Sequence, residues 1–327
     1  MVSINSIIID KKMDNEFYDN FLDVSSNVID NGSLQGSFVN REGDDGIAAA
    51  DQALLSLFSS SLRKSIENLD EELARFEKNF ASGNNSIFWA LDYNDVFVYI
   101  KKIIKLHKAR TVRLPNVNSS TIFRELGIQY FLQEENIALS DNADLQFFAV
   151  DMMFTDTGSL LLLNQSNNSL AKLSNTSTNI FFATIDSICN NSNWVETIQQ
   201  LLSYNSSASR QDMILFKSSA NCSNYLFIID NQRLELLKDP RLRQSLTCIG
   251  CGRCNDVCPV FRTIGSEPYN NVFAGPVANI TLPFLETFES YRHVPYVCTL
   301  CGRCEKVCPL KLPLRDMNIH VRSLFFV

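Results

Sequence analysis

Several chemical vocabularies are missing from this 327-residue chain, which has three histidines, two tryptophans and twelve glycines. No G-x-G-x-x-G, Walker loop or H-E-x-x-H occurs, so no self-contained nucleotide or zinc-hydrolase site is legible. His107, His293 and His320 lie far apart in sequence, and no clustered His/carboxylate site stands out. No apolar run approaches the ~18 residues that a membrane span needs, so no transmembrane segment is expected. Positive charge is short as well: 29 Lys+Arg against 36 Asp+Glu leave a net charge of -7. That argues against a general nucleic-acid binder, which needs a basic face for phosphates. The opening MVSINSIIIDKKMDNEF has only a three-isoleucine apolar group before charges return, unlike a secretory signal, and the expected address is the cytoplasm.

What is present is an ordinary globular composition, 45% hydrophobic and 20% charged, on a chain long enough for about two domains. Charge divides along it. From Arg233 onward there are 12 basic and 8 acidic residues, against 17 and 28 before it. Cysteine divides the same way, with eight of ten between Cys248 and Cys308. In a cytosolic chain disulfides are disfavoured, so clustered cysteines read first as metal ligands. Cys189 and Cys222 have no partner at ligand spacing and read as buried thiols.

Residues 1–45 are rich in Asn, Asp, Ser and Gly and are expected to form an arm. From Gly46 to Phe80 apolar residues recur at three- and four-residue steps, which predicts an amphipathic helix. A second helix is expected from a cap at Asp92 through Val96, Ile100 and Ile103, with His107 at its end. Short apolar runs at Thr111–Leu114, Leu145–Val150, Leu160–Leu163, Ile180–Ile185, Met213–Phe216 and Tyr225–Ile229 fit buried strands. Helical stretches at Ser119–Leu126 and Trp194–Leu202 fall among them, which argues for an α/β domain over residues 46–235. Asn164–Asn179 is polar and reads as a loop or hairpin linking two strands. A connecting helix around Leu234, Leu236 and Leu237 is punctuated by Pro240, and a cysteine-bearing domain is expected over 236–327.

That last segment holds an internal repeat, CIGCGRCNDVCP at Cys248–Pro259 and CTLCGRCEKVCP at Cys298–Pro309. Each copy reads C-x2-C-x2-C-x3-C-P. Three thiolates with two residues between each can wrap one cubane, while the fourth cannot reach it without strain and in two-cluster proteins binds the other cluster. Two [4Fe–4S] sites follow: Cys248, Cys251 and Cys254 with Cys308, and Cys298, Cys301 and Cys304 with Cys258. Zinc is the competing reading, since four-Cys knuckles also use C-x2-C, but zinc requires neither the third cysteine nor the C-P ending. Gly252 and Gly302 would let backbone approach the sulfides. Arg253, Arg303 and Lys306 either raise the cluster potentials or are solvated loop charges. Phe284, Leu285, Phe288 and Tyr291 have helical spacing, so helices are expected to carry the sites.

In the α/β half, Asp156, Thr157, Gly158 and Ser159 follow Thr155 between two apolar strands. The plain reading is a β-turn; the alternative is an anion cradle made by the amides of Thr157, Gly158 and Ser159.

Taken together, CIGCGRCNDVCPVFRTIG, FAGPVAN, LPFLETFESYRHVPYVCTLCGRCEKVCPLKLPL and DLQFFAVDMMFTDTGSLLLL resemble the lactate-utilisation protein B family. That family joins a LUD domain to a helical two-cluster ferredoxin module. In its turn Glu-Thr-Gly is usual, and Asp156 takes the acidic place here. The resemblance implies an α/β LUD domain, similar to the sugar-isomerase and CoA-transferase-like fold, followed by an α-helical ferredoxin domain. It implies an electron-transfer subunit of an L-lactate-oxidising complex, partnered by a cysteine-rich oxidoreductase subunit and a second LUD-domain protein. The alternatives are an adaptor for a glycolate, glycerol-3-phosphate or heterodisulfide-type oxidoreductase, or a LUD sensor or scaffold with redox-switching clusters.

Overall fold

The computed structural model describes residues 49–81, 85–114, 122–123, 126–162, 178–203, 214–217, 222–266, 269, 274–286 and 288–324. The expected arm over 1–45, most of the expected helix at Ser119–Leu126 and the expected loop or hairpin Asn164–Asn179 up to residue 177 lie outside them, and its last two residues, Thr178 and Asn179, open a strand instead. The chain divides into two compact units, one of Phe58–Leu237 and one of Lys238–Val327 with the chain up to Leu57.

The single helix expected to end at Phe80 is two helices, α1 (Ala49–Glu67) and α2 (Leu69–Phe80). Asn68 separates them: its backbone N–H and its side-chain Nδ2 both donate to Lys64 O at 3.0 Å. A side chain that competes for backbone partners in this way ends a helix. The apolar repeat runs through the break because Leu62, Ile66, Leu69 and Phe76 are all buried. Strand β1 (Asn85–Ala90) follows, then α3 (Tyr93–His107). Asp92 caps α3 as expected, its Oδ1 accepting from Asn94 N and Asp95 N at 2.8 and 3.0 Å.

Onward come β2 (Thr111–Arg113), α4 (Ile128–Glu134), β3 (Ala138–Leu139), β4 (Leu145–Ala149), β5 (Met152–Phe154) and β6 (Ser159–Leu162). After them stand β7 (Thr178–Thr184), β8 (Ile188–Cys189), α5 (Val195–Ser203), β9 (Ile214–Phe216), β10 (Ser223–Ile229) and α6 (Arg233–Lys238). One sheet has the order β1-β10-β7-β4-β2-β3, and every pairing in it is parallel. Its inner strands are near-continuous apolar runs because both faces are covered. Val96, Ile100 and Ile103 of α3 and Phe131 of α4 pack with Phe147, Phe182 and Phe227 on one face. On the other, Phe181 meets Phe216 at 4.7 Å between ring centroids, so the second sheet, β8-β5-β6-β9, covers it.

One polar row crosses the parallel sheet. Asn179 Nδ2 donates to Asn224 Oδ1 (3.0 Å), Asn224 Nδ2 to Asn85 Oδ1 (2.8 Å), and Asn85 Nδ2 to Phe80 O at the end of α2 (2.7 Å). The three residues are register partners on β7, β10 and β1. A one-residue slip of any strand would bury an unpaired amide, so the row fixes the register.

In the second unit the described residues hold helices and 3-10 turns: α7 (Arg253–Val257), α8 (Pro259–Ile264), α9 (Ala278–Leu285), α10 (Phe288–Tyr291), α11 (Arg303–Val307) and α12 (Leu314–Leu324). The helices expected in the spacer are thus α9 and α10, separated at Glu286. Ile264, Tyr269, Ala278, Leu282, Tyr291 and Val294 form a small apolar core. Among the described residues no helix is long and apolar enough to cross a membrane.

Candidate metal centres

The two cysteine runs fold alike. In each, a glycine in the left-handed region opens a five-residue helix: Gly252 at φ 74° before α7 and Gly302 at φ 69° before α11. Space is not what demands glycine at 302, since a Cβ there would meet nothing closer than 3.7 Å; conformation is. The fourth cysteine ends each helix in extended backbone, Cys258 at φ −75° and Cys308 at φ −68°. Helices α7 and α11 lie against one another, which carries the fourth thiol of each run toward the other.

The thiols of the two runs act on one another electrostatically. Burial pushes the Cys254 thiol far above its ordinary pKa, and the charges of Cys248, Cys251, Cys308 and Cys304 add to the rise. Burial also raises Cys251, with Cys308 pushing it up and Arg253 opposing. In the second group burial raises Cys298; Arg322 works against the rise, Cys258 and Cys301 with it. Cys304 is pushed up to about 12 by burial, then by Cys298, Glu305 and Cys258. Cys254 thus lies within electrostatic reach of Cys248, Cys251, Cys308 and Cys304, and Cys304 within reach of Cys298 and Cys258.

Around the second group there is a cavity. Cys258, Cys298, Cys301 and Cys304 all line it, together with Pro276 and, from α12, Leu314, Arg315 and Asn318. Among the described residues no three His, Cys, Asp or Glu side chains are set to hold a single metal ion; these thiols stand around a space instead.

Three residues that the sequence leaves unmarked act on this group, and of them Asn318 lines the cavity itself. Arg322 on α12 donates from Nε and Nη2 to Pro295 O (3.0 and 2.8 Å) and from Nη2 to Cys298 O, so a fixed positive charge sits behind the first ligand of the run. Tyr269 is 1% exposed. Burial and the charges of Cys258 and Cys298 hold its pKa well above the usual phenol range, keeping the hydroxyl protonated. Asn318 is 1% exposed, and neither its Nδ2 nor its Oδ1 has a hydrogen-bond partner among the described residues. A dry, unpaired amide costs about 1–3 kcal/mol, so an orphan at the edge of a thiol-lined cavity needs an occupant to explain it.

Iron–sulfur clusters fit these residues on two counts. Buried thiols that raise one another's pKa are costly as free thiols, whereas a metal-bound thiol is deprotonated outright. An orphaned amide facing the cavity also finds its acceptors in cluster sulfur. Elsewhere, Cys189 and Cys222 are buried, and burial pushes Cys189 up to about 11, as inert thiols require.

The turn at Asp156–Ser159 joins β5 to β6 as an antiparallel hairpin. Gly158 has φ +63°, and a Cβ on it would lie 2.5 Å from the Asn79 carbonyl carbon. Gly158 N donates to Phe154 O (2.9 Å), and Asp156 Oδ2 accepts from Ser192 N and Ser192 Oγ (2.9 and 2.8 Å). Thr157 Oγ1 and Ser159 Oγ lie 2.6 Å apart. One of the three amides of the supposed cradle is therefore already engaged inward.

Comparison with known proteins bears on the cysteine unit. Residues 244–312 match the 4Fe-4S dicluster domain family. The chain is 34% identical over 99 residues to lactate utilization protein B of Bacillus cytotoxicus, and 32% identical over 99 residues to that of Bacillus thuringiensis; each match covers 30% of this chain and 21% of the relative. The chain thus matches about a fifth of the length of these curated relatives. A solved DUF162-family protein from Deinococcus radiodurans aligns over 50% of this chain and 98% of its own, at 15% identity and a TM-score of 0.37, a likeness too slight to argue from. The 99-residue and domain matches agree with the geometry: residues 244–312 carry a 4Fe–4S dicluster domain, and two [4Fe–4S] clusters are its cofactors.

Proposed function

We propose that this chain is the iron–sulfur electron-transfer subunit of an L-lactate-oxidising complex. Cys248, Cys251, Cys254 and Cys308 would hold one cluster, and Cys298, Cys301, Cys304 and Cys258 the other. The observation that carries the assignment is the cavity to which three cysteines of one run and the fourth of the other contribute. Bound there, the clusters supply one-electron transfer, which suits a relay for the two electrons that leave lactate. The protein's own part is positional. Gly252 and Gly302 turn the loops, packed α7 and α11 exchange their fourth thiols, and Arg253 and Arg322 set positive charge beside Cys251 and Cys298. Lactate as the donor's substrate rests on the named relatives, whereas a cysteine-rich subunit and a second LUD-domain protein as partners rest on the family resemblance of the sequence.

An adaptor serving a different oxidoreductase is the second reading. It is favoured by one fact, that the family match is confined to residues 244–312, a module such adaptors would share. Anaerobic co-purification decides between them. Lactate should bleach the cluster absorbance of the complex, whereas bleaching by glycolate or glycerol-3-phosphate alone would select the second reading. An anaerobically reconstituted chain that holds no iron would sink both.

A further inference from the structure

Asn318 sits one turn after Leu314 on α12, so the two share a helix face, and both line the cavity with Cys258, Cys298, Cys301 and Cys304. Its neighbours in sequence do other work: Met317 and Val321 are buried apolar residues. A leucine would satisfy that face at less cost than an amide with neither end paired. Cluster and thiolate sulfurs offer only acceptors, and of the amide's two ends only Nδ2 donates.

We propose that the Nδ2 amide of Asn318 is a hydrogen-bond donor to sulfur of the cluster held by Cys298, Cys301, Cys304 and Cys258, and that it makes this cluster easier to reduce. The proposal rests on the ligand assignment given above. A donor to cluster sulfur stabilises the more negative, reduced state and so raises its potential. Asn318 is a positioning and tuning residue, not a ligand. Beside the other group, Asn255, next to Cys254, has its Oδ1 3.5 Å from the Cys254 sulfur, so its amide does not stand as Asn318 does. The Cys301 cluster is thereby made easier to reduce than it would be with an apolar residue at position 318.

The test uses the full chain, reconstituted anaerobically and followed by EPR during a potentiometric titration. Cys301→Ser first assigns which signal belongs to this site. In Asn318→Leu, iron content should be unchanged. At a fixed potential the reduced-to-oxidised ratio of the assigned cluster should fall about tenfold, equivalent to 59 mV for one electron, while the other cluster keeps its midpoint. Full iron with both midpoints unmoved would overturn the proposal. A second measurement needs no variant. Protein labelled with nitrogen-15 at asparagine side chains should show, by pulsed EPR, a nitrogen coupling at the assigned cluster. Absence of that coupling, or its survival in Asn318→Leu, overturns the proposal even if the leucine variant loads iron poorly. A wild-type chain with no clusters at all would instead overturn the ligand assignment.

Discussion

Phenylalanine makes the interior of the sheet unit. Phe147, Phe181, Phe182 and Phe227 are each 0% exposed, and the rings of Phe182 and Phe227 stack at 5.6 Å, as Phe88 and Phe227 do at 5.3 Å. Each such ring is worth roughly 1.5–3 kcal/mol on burial, and the polar row of Asn179, Asn224 and Asn85 satisfies itself. In residues 238–327 the small core around Tyr269 and Leu282 is accompanied by thiols that repel one another and by an unpaired amide. The lesson is that the described part of the sheet unit satisfies its polar row with its own residues, whereas the cysteine unit carries thiols and an amide that a bound cluster would satisfy, which would link its folding free energy to metal.

The largest effect expected from that difference is on removal of the clusters. Stripping iron with a chelator should abolish amide-exchange protection across α7 and α11 and leave β7 and β10 protected at their original level. Hydrogen-exchange mass spectrometry reads both in one experiment. Equal loss in the two units, or none in either, would break the comparison.

Next in size is Cys258→Ser. It should lower iron from about eight to about four per chain, and the lost EPR signal should be the one lost in Cys301→Ser. Loss of the signal that Cys251→Ser removes would refute the crossed arrangement.

Gly158→Val tests the sheet unit alone. An L-residue in the left-handed region costs about 1–2 kcal/mol, and overpacking against the Asn79 backbone adds about 1–3 kcal/mol. The denaturation midpoint of the sheet unit should drop accordingly while iron content stays normal. A variant of unchanged stability would mean that the turn tolerates a side chain at position 158 beside the Asn79 backbone.

Much of this was legible in the sequence because it rests on short-range rules. The cysteine spacing, the Asp92 cap and the apolar runs of β4, β7 and β10 all belong to that class. Strand β1 is harder to read: it opens on Asn85 and Ser86, its apolar run is only Ile87–Ala90, and of its six residues Ala90 alone is buried. The break at Asn68 was hidden because the same face stays buried on both sides of it. Asn318 was invisible for a different reason. In RDMNIHVRS it reads as an ordinary polar helix residue, and only the tertiary placement of α12 against the Cys298 loop makes its amide an orphan.

The smallest effect lies at the start of β2. Asp144 Oδ2 accepts from Arg110 N, Thr111 N and Thr111 Oγ1 at 2.8, 3.0 and 2.9 Å, while Asp144 N donates to Thr111 Oγ1 at 3.0 Å. The Arg110 amide first, and the Thr111 hydroxyl and amide after it, hold the carboxyl below its ordinary pKa. The folded pKa therefore lies beneath the unfolded one, near 3.9. The stabilisation is present in full above about pH 4 and is lost as pH falls through the folded value. Asp144 is exposed, so solvent screening limits the gain to about 1 kcal/mol or less. Asp144→Asn should thus lower the urea midpoint of the sheet unit slightly at pH 7, and the gap to wild type should close between pH 5 and pH 3. A gap that stays constant over that range would mean that the clamp acts through shape and not through the charge on Asp144.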